Sequence, residues 1–176
     1  TPTVNCPANG IDHSQSIVVK VLPGLSSHIV QGMDSIFQLP GGCFEQTTSS
    51  AWPNVLALKY MQEAGTLTPE IEMQAIEYVN LGYQRILTFE CESGGFNWWE
   101  GDNPGNAILS AVGVMMLTDT QSVYGTVDQA VIDRSAEYLF SVQKSDGSWS
   151  EESHLHAGNE NLGASSLRGT CYITWA

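Results

Sequence analysis

Cationic side chains are scarce in this chain. Its 176 residues hold six Lys and Arg against 19 Asp and Glu, a net charge of -13. Affinity for nucleic acid rests on cationic neutralisation of phosphates, so a nucleic-acid partner is not expected. The acidity reads instead as a solvated surface. No apolar run approaches the roughly 20 residues that a bilayer-spanning helix needs. Cys6, Cys43, Cys91 and Cys171 never stand in C-x-x-C spacing, which argues against zinc, and no metal or cofactor is expected. The chain also starts without a signal peptide, so it reads as mature protein or an excised piece. What is present is 42% hydrophobic, enough for one domain with a real core.

Residues 1–16 carry Pro2, Pro7, Asn9 and Gly10 with little periodicity, and read as an extended lead-in. Ser16 to Leu22 is short and β-branched, a strand candidate closed by Pro23-Gly24. After it every pattern is helical. Apolar residues recur at helical spacing from Ile29 to Phe37, and the expected helices then cover Thr47–Ala64, with Val55, Leu56, Leu58 and Met61 apolar, and Thr68–Phe89. In the latter, Thr68-Pro69 supplies the cap and first-turn proline. Three more are expected over Asn106–Leu117, Val127–Gln143 and Ser165–Ala176. Two loops look like copies: Ser93-Gly94-Gly95-Phe96-Asn97-Trp98 and Ser145-Asp146-Gly147-Ser148-Trp149, with Gly95 and Gly147 52 residues apart. Each follows an amphipathic helix and precedes an apolar one, which signals a repeated helix hairpin stacked in an array.

One stretch carries chemistry. In Pro40-Gly41-Gly42-Cys43-Phe44-Glu45-Gln46 a cysteine lies three residues before a glutamine, and side chains at i and i+3 face one another in a first helical turn. Loss of ammonia between the Cys43 thiol and the Gln46 carboxamide would give an internal thioester. Glycines before the cysteine allow backbone conformations closed to other residues and remove bulk. The plainer reading is a turn into a helix with Cys43 as a small buried apolar residue.

The stretch PGGCFEQTTSSAWPNVLALKYM resembles the thioester region of the alpha-2-macroglobulin and complement family, whose core is G-C-x-E-Q followed by a proline-bearing apolar helix. Phe44 stands where that family has a second glycine, which fits its bacterial and archaeal branch. The resemblance runs from about Val19 to the C-terminus. It implies an all-α fold, an α/α toroid of helix hairpins in a partial ring, with residues 1–22 as lead-in from a preceding domain and 23–176 as a thioester domain cut short at its end. An incomplete ring implies exposed apolar faces and self-association. Gln143-Lys144-Ser145-Asp146-Gly147-Ser148-Trp149 also resembles the Q-x-x-x-G-x-W repeat of terpene cyclases, which share the α/α toroid.

By the same resemblance Cys43 and Gln46 form the thioester, in single use rather than with enzymatic turnover. A histidine about a dozen residues beyond a D-G-x-aromatic loop attacks the thioester carbonyl and forms an acyl-imidazole. After Asp146-Gly147-Ser148-Trp149, His156 fits that place and His154 is the reserve. A neutral imidazole is a competent nucleophile near neutral pH. Glu45 is expected either to support the site or to complement the helix dipole. A thioester must be kept dry, and Gly42, Phe44, Trp52, Trp98 and Trp99 form its expected surroundings, the aromatics serving equally as core. With Cys43 committed, at most one disulfide joins the remaining cysteines, Cys91 with Cys171 being one pairing and buried free thiols the other outcome.

The resemblance implies a parent protein of several domains that traps proteases or tags surfaces by acylating amines or hydroxyls, in an extracellular, periplasmic or cell-envelope setting. Three other readings remain open. A toroid terpene cyclase or prenyltransferase relative is weakened by the lack of a D-x-D-D cluster. Cys43/His156 acyl transfer with turnover leaves Gln46 unexplained. A helical interaction module without reactivity needs none of these side chains.

Overall fold

A computed structural model describes residues 37–101, 104–150 and 166–176. Within them the protein is helical: α1 Phe44–Ala64, α2 Pro69–Leu87, α3 Ala107–Val123, α4 Gln129–Ser141 and α5 Ser166–Trp175. The expected lead-in strand and the helical pattern from Ile29 to Ile36 lie outside the described residues.

Local chemistry sets the helix ends. Gly65 closes α1 in the left-handed conformation at φ 62°, returning its N–H to the Gln62 and Met61 carbonyls. Thr68 caps α2 by accepting from the Ile71 N–H, with Pro69 in the first turn. Asn106 and Asp128 cap α3 and α4 in the same manner. α1 begins three residues earlier than its apolar pattern suggested, because Cys43 itself takes the cap position. α3 runs six residues past Leu117: Thr118 and Thr120 turn their hydroxyls back onto the Val114 and Met116 carbonyls, which lets the buried Thr120 stay in the helix.

α1 and α2 form one hairpin, α3 and α4 a second, and the first packs on the second mainly through α1 against α3. α3 also meets α5, which explains its nearly unbroken apolar sequence: a helix covered on several sides has no face to leave polar. The first turns of α1 join a core that includes Phe96, Leu109, Met116, Leu117 and Tyr138, while its later turns share a second core with Val79, Ala75 and Phe37. Leu56, counted with the apolar residues of α1, is 48% exposed, and Met73 and Phe140 are also exposed.

The two glycine loops have the same backbone. Cys91 N–H donates to Gly95 O at 2.7 Å and Lys144 N–H to Ser148 O at 2.8 Å; Gly94 N–H returns to Cys91 O and Gly147 N–H to Lys144 O, each at 2.9 Å. Gly94 and Gly147 carry φ values of 85° and 84°. The equivalent glycine of the first loop is thus Gly94, one residue before the one its sequence pattern pointed to. Phe96 then corresponds to Trp149, and both plug the core. No disulfide joins Cys91 to Cys171: Cys91 is buried with its thiol toward the Phe89 carbonyl at 3.8 Å, and Cys171 is exposed on α5.

Asn54 ties the approach to Cys43 onto this frame. It is fully buried, accepts from Gln38 N–H at 3.0 Å and donates to Gln38 O at 2.7 Å. Leucine at position 54 would remove both bonds to the backbone of Gln38, an exposed residue that water can reach, and each such hydrogen bond contributes about 0.5–1.5 kcal/mol net. Asn54→Leu is therefore expected to lower the unfolding free energy by about that amount for each bond in chemical denaturation, with the apolar α1 neighbours unchanged.

Candidate functional site

The site is the first turn of α1 and what holds it. Cys43 is extended at φ -74°, ψ 177°, so the chain enters the helix at a sharp angle. Its backbone N–H donates to Gln46 Oε1 at 3.2 Å. The Cys43 sulfur faces the Gln46 backbone N–H in the complementary half of a capping box, a weak acceptor where serine or threonine would be a strong one. The carboxamide and the thiol carrier are thereby folded onto one another by a local capping geometry. Cys43 is buried and Gln46 exposed.

Gly42 makes this arrangement sterically feasible. Its φ is 85°, and a Cβ there would stand 2.1 Å from Gln46 Oε1 and 2.9 Å from Gln46 Cδ. Both the conformation and the space exclude a side chain. Gly41, by contrast, has open space around it, so of the glycine pair only Gly42 is dictated by the site.

Phe44 anchors the turn. It is fully buried, edge-on to Phe89 with centroids 5.9 Å apart and tilted against Phe96 at 5.4 Å. Its N–H donates to Trp98 O at 3.0 Å. The first glycine loop is thus bonded directly to the residue after Cys43. Trp98 is half-buried beside the turn, whereas Trp99 is 53% exposed. Trp52 sits further along α1 and donates its indole N–H to Asp119 at 2.9 Å, joining α1 to α3. Glu45 lies in the first turn, where a carboxylate complements the helix dipole.

Three contributors carry no motif in the sequence. Arg85 of α2 donates to Gly42 O at 3.0 Å, pairs with Glu100, and lies 4.8 Å from the centroid of the Phe89 ring. Thr88 reaches the same Glu100 carboxylate at 3.3 Å. Gly82 lets α1 and α2 approach, since a Cβ there would be 2.6 Å from Ala51 Cβ and 3.4 Å from Pro40 Cγ. Long-range placement brings these together, and no spacing announces it. Asn54 was detectable in principle, as a polar residue on the Ala51, Val55, Leu58 stripe.

A cavity of about 710 Å³ opens beside the turn, floored by Phe44, Glu45 and Thr48 of α1, Leu109 and Val112 of α3, and Tyr172 of α5. Burial there pushes the Tyr172 hydroxyl pKa up. His154 and His156 lie outside the described residues.

Alanine at position 42 is expected to expel the Gln46 carboxamide from the Cys43 N–H. Hydrogen exchange at the Cys43 amide should speed up, and stability should fall by about 1–3 kcal/mol from the left-handed backbone alone. Gly41→Ala should change neither.

The chain was compared with known proteins. It is 27% identical over 139 residues to thioester-containing protein 1 allele S3 of Anopheles gambiae and 26% identical over 134 residues to allele R1, covering 78% and 76% of this chain. It spans 10% of the length of either relative. Salmonella alpha-2-macroglobulin reacted with methylamine shares the fold with a TM-score of 0.56 at 23% identity, over 82% of this chain and 9% of that one. Native Escherichia coli alpha-2-macroglobulin, from domain MG7 to the C-terminus, gives 0.57 at 20% identity, over 82% and 22%. The all-α arrangement of helix hairpins is the α/α toroid of those proteins. The model of the A-macroglobulin TED domain matches residues 15–176, and the chain belongs to that family.

Proposed function

We propose that Cys43 and Gln46 form an internal thioester that acylates a target once. The observation that carries this reading is the Gln46 carboxamide folded onto the Cys43 backbone N–H at 3.2 Å, in space that only a glycine at position 42 leaves open. Formation joins Cys43 Sγ to Gln46 Cδ and releases the carboxamide nitrogen as ammonia, the thiol proton leaving with it. In use, an amine or hydroxyl of the target adds to Cδ, the C–S bond breaks, and Cys43 recovers its proton as a thiol. The products are an amide or ester at position 46.

His156 is the proposed intermediate acceptor for hydroxyl targets, with His154 in reserve. An acyl-imidazole would form there and the released thiolate would act as base. The parent is proposed to use this domain with others of its chain, against proteases or surface nucleophiles, outside the cell, in the periplasm or at the envelope. No helix among the described residues is long and apolar enough to cross a membrane.

Methylamine, the reagent used on the Salmonella protein, serves as the probe. The freshly purified protein should have a mass lower by one ammonia, and methylamine should add to it while exposing one new alkylatable thiol at Cys43. Cys43→Ala should abolish both effects. A full mass with Cys43 already alkylatable would instead favour a helical module without reactivity. His156→Ala should slow acylation of glycerol relative to methylamine, and an unchanged ratio would remove the histidine step.

A further inference from the structure

The polar groups around the turn run through a single peptide unit. Gly42 C=O accepts from Arg85 Nη2 at 3.0 Å, and the N–H of that same amide, on Cys43, donates to Gln46 Oε1 at 3.2 Å. Thr47 Oγ1 stands 3.5 Å from the same carbonyl. Arg85 is oriented from two further sides, by the Glu100 carboxylate through Nη1 and by the face of Phe89. The amide is a resonance system, so a cation that draws density toward its oxygen makes its N–H a stronger donor.

We propose that Arg85 is a positioning residue that aims and polarises the Gly42–Cys43 peptide, making the Cys43 N–H an oxyanion donor for the thioester reactions. The inference rests on the thioester reading above. In formation, Cys43 Sγ adds to Gln46 Cδ, the C=O π pair moves onto Oε1, and collapse restores the carbonyl as ammonia departs with the thiol proton. In opening, the amine adds to the same Cδ, the same oxygen takes the charge, and collapse expels the Cys43 thiolate, which takes the amine's proton. Both tetrahedral species place negative charge on the atom that the Cys43 N–H already touches.

The geometry is that of an oxyanion hole built from one backbone donor at a helix start. A complete donor of this kind is worth about 10²–10³ in rate. Arg85 acts only through the donor, and its side chain is 36% exposed, so solvent screens it. Its share is expected to be about 3- to 10-fold.

The direction of the effect separates this role from a merely structural one. An oxyanion donor lowers the barrier both to making and to opening the thioester, so Arg85→Met should slow both by about 3- to 10-fold. Loosened packing would slow formation but speed opening, because water and amine would gain access. In the intact protein, the rate of ammonia loss after refolding gives formation, by mass, and the rate of thiol appearance in methylamine gives opening. Arg85→Lys keeps a cation over Phe89 but loses the planar fork, so it should fall between wild type and Arg85→Met in both rates. If Arg85→Met fails to fold, Arg85→Lys against wild type carries the same test. Faster opening in the variants, or two unchanged rates, overturns the role of Arg85. A wild-type protein that never loses ammonia defeats the thioester reading itself, and this inference with it.

Discussion

The burial of Phe44 is the contact on which the rest of the site depends. A phenylalanine directly after the cap residue, with no exposed surface and with Phe89 and Phe96 against its ring, ties the start of α1 to the end of α2 and to the first glycine loop at once. Removing a fully buried aromatic from a core costs about 3–5 kcal/mol, several times what one exposed hydrogen bond contributes. The weak contacts at Cys43 and Gln46 need not hold the turn in place; Phe44 does so, and they decide only how neighbouring side chains lie within it. The Trp98 carbonyl adds direction to that anchor by fixing the Phe44 N–H.

A division of labour follows. Strong, apolar, fully buried contacts set the frame, and short-range polar contacts set how Cys43 and Gln46 lie against one another. The same split appears in the two glycine loops. Their turns share the same two backbone bonds, and Phe96 and Trp149 fill equivalent places, yet among the described residues it is the first loop that is bonded to the turn that carries Cys43. A repeated structural unit has one copy joined to the site, while in the other, among the described residues, Gln143 and Asp146 bond within their own turn, to Gly147 O and to Ser148.

Much of this is legible in the sequence because it is local. The order of the described helices, the Thr68-Pro69 start, the two aromatic-plugged loops and the Cys43/Gln46 spacing all depend on residues within a few positions of each other. The i to i+3 geometry of Cys43 and Gln46 needs one helical turn and nothing else. The illegible part is what arrives from elsewhere in the chain. Arg85 lies 42 residues beyond Cys43 on a helix whose pattern announces only its buried stripe, and Glu100 looks like any surface acid. Cys43 as a helix cap is hidden for another reason: thiols are poor caps, so propensity places the start of α1 at the threonines instead. Phe44 reads from the sequence as shielding or core, and its full burial makes it both anchor and lining.

The close approach at Gly82 reaches further than its size suggests. With no side chain between Ala51 and Pro40, α1 and α2 nearly touch at one level, and Arg85 stands one turn along from that level on the same helix. The glycine thereby acts as a fulcrum: it sets how far a guanidinium must stretch to meet the Gly42 carbonyl. A methyl group at position 82 would lever the two helices apart and shift the turn that carries Cys43 and Gln46, from a residue that has no polar atom in its side chain.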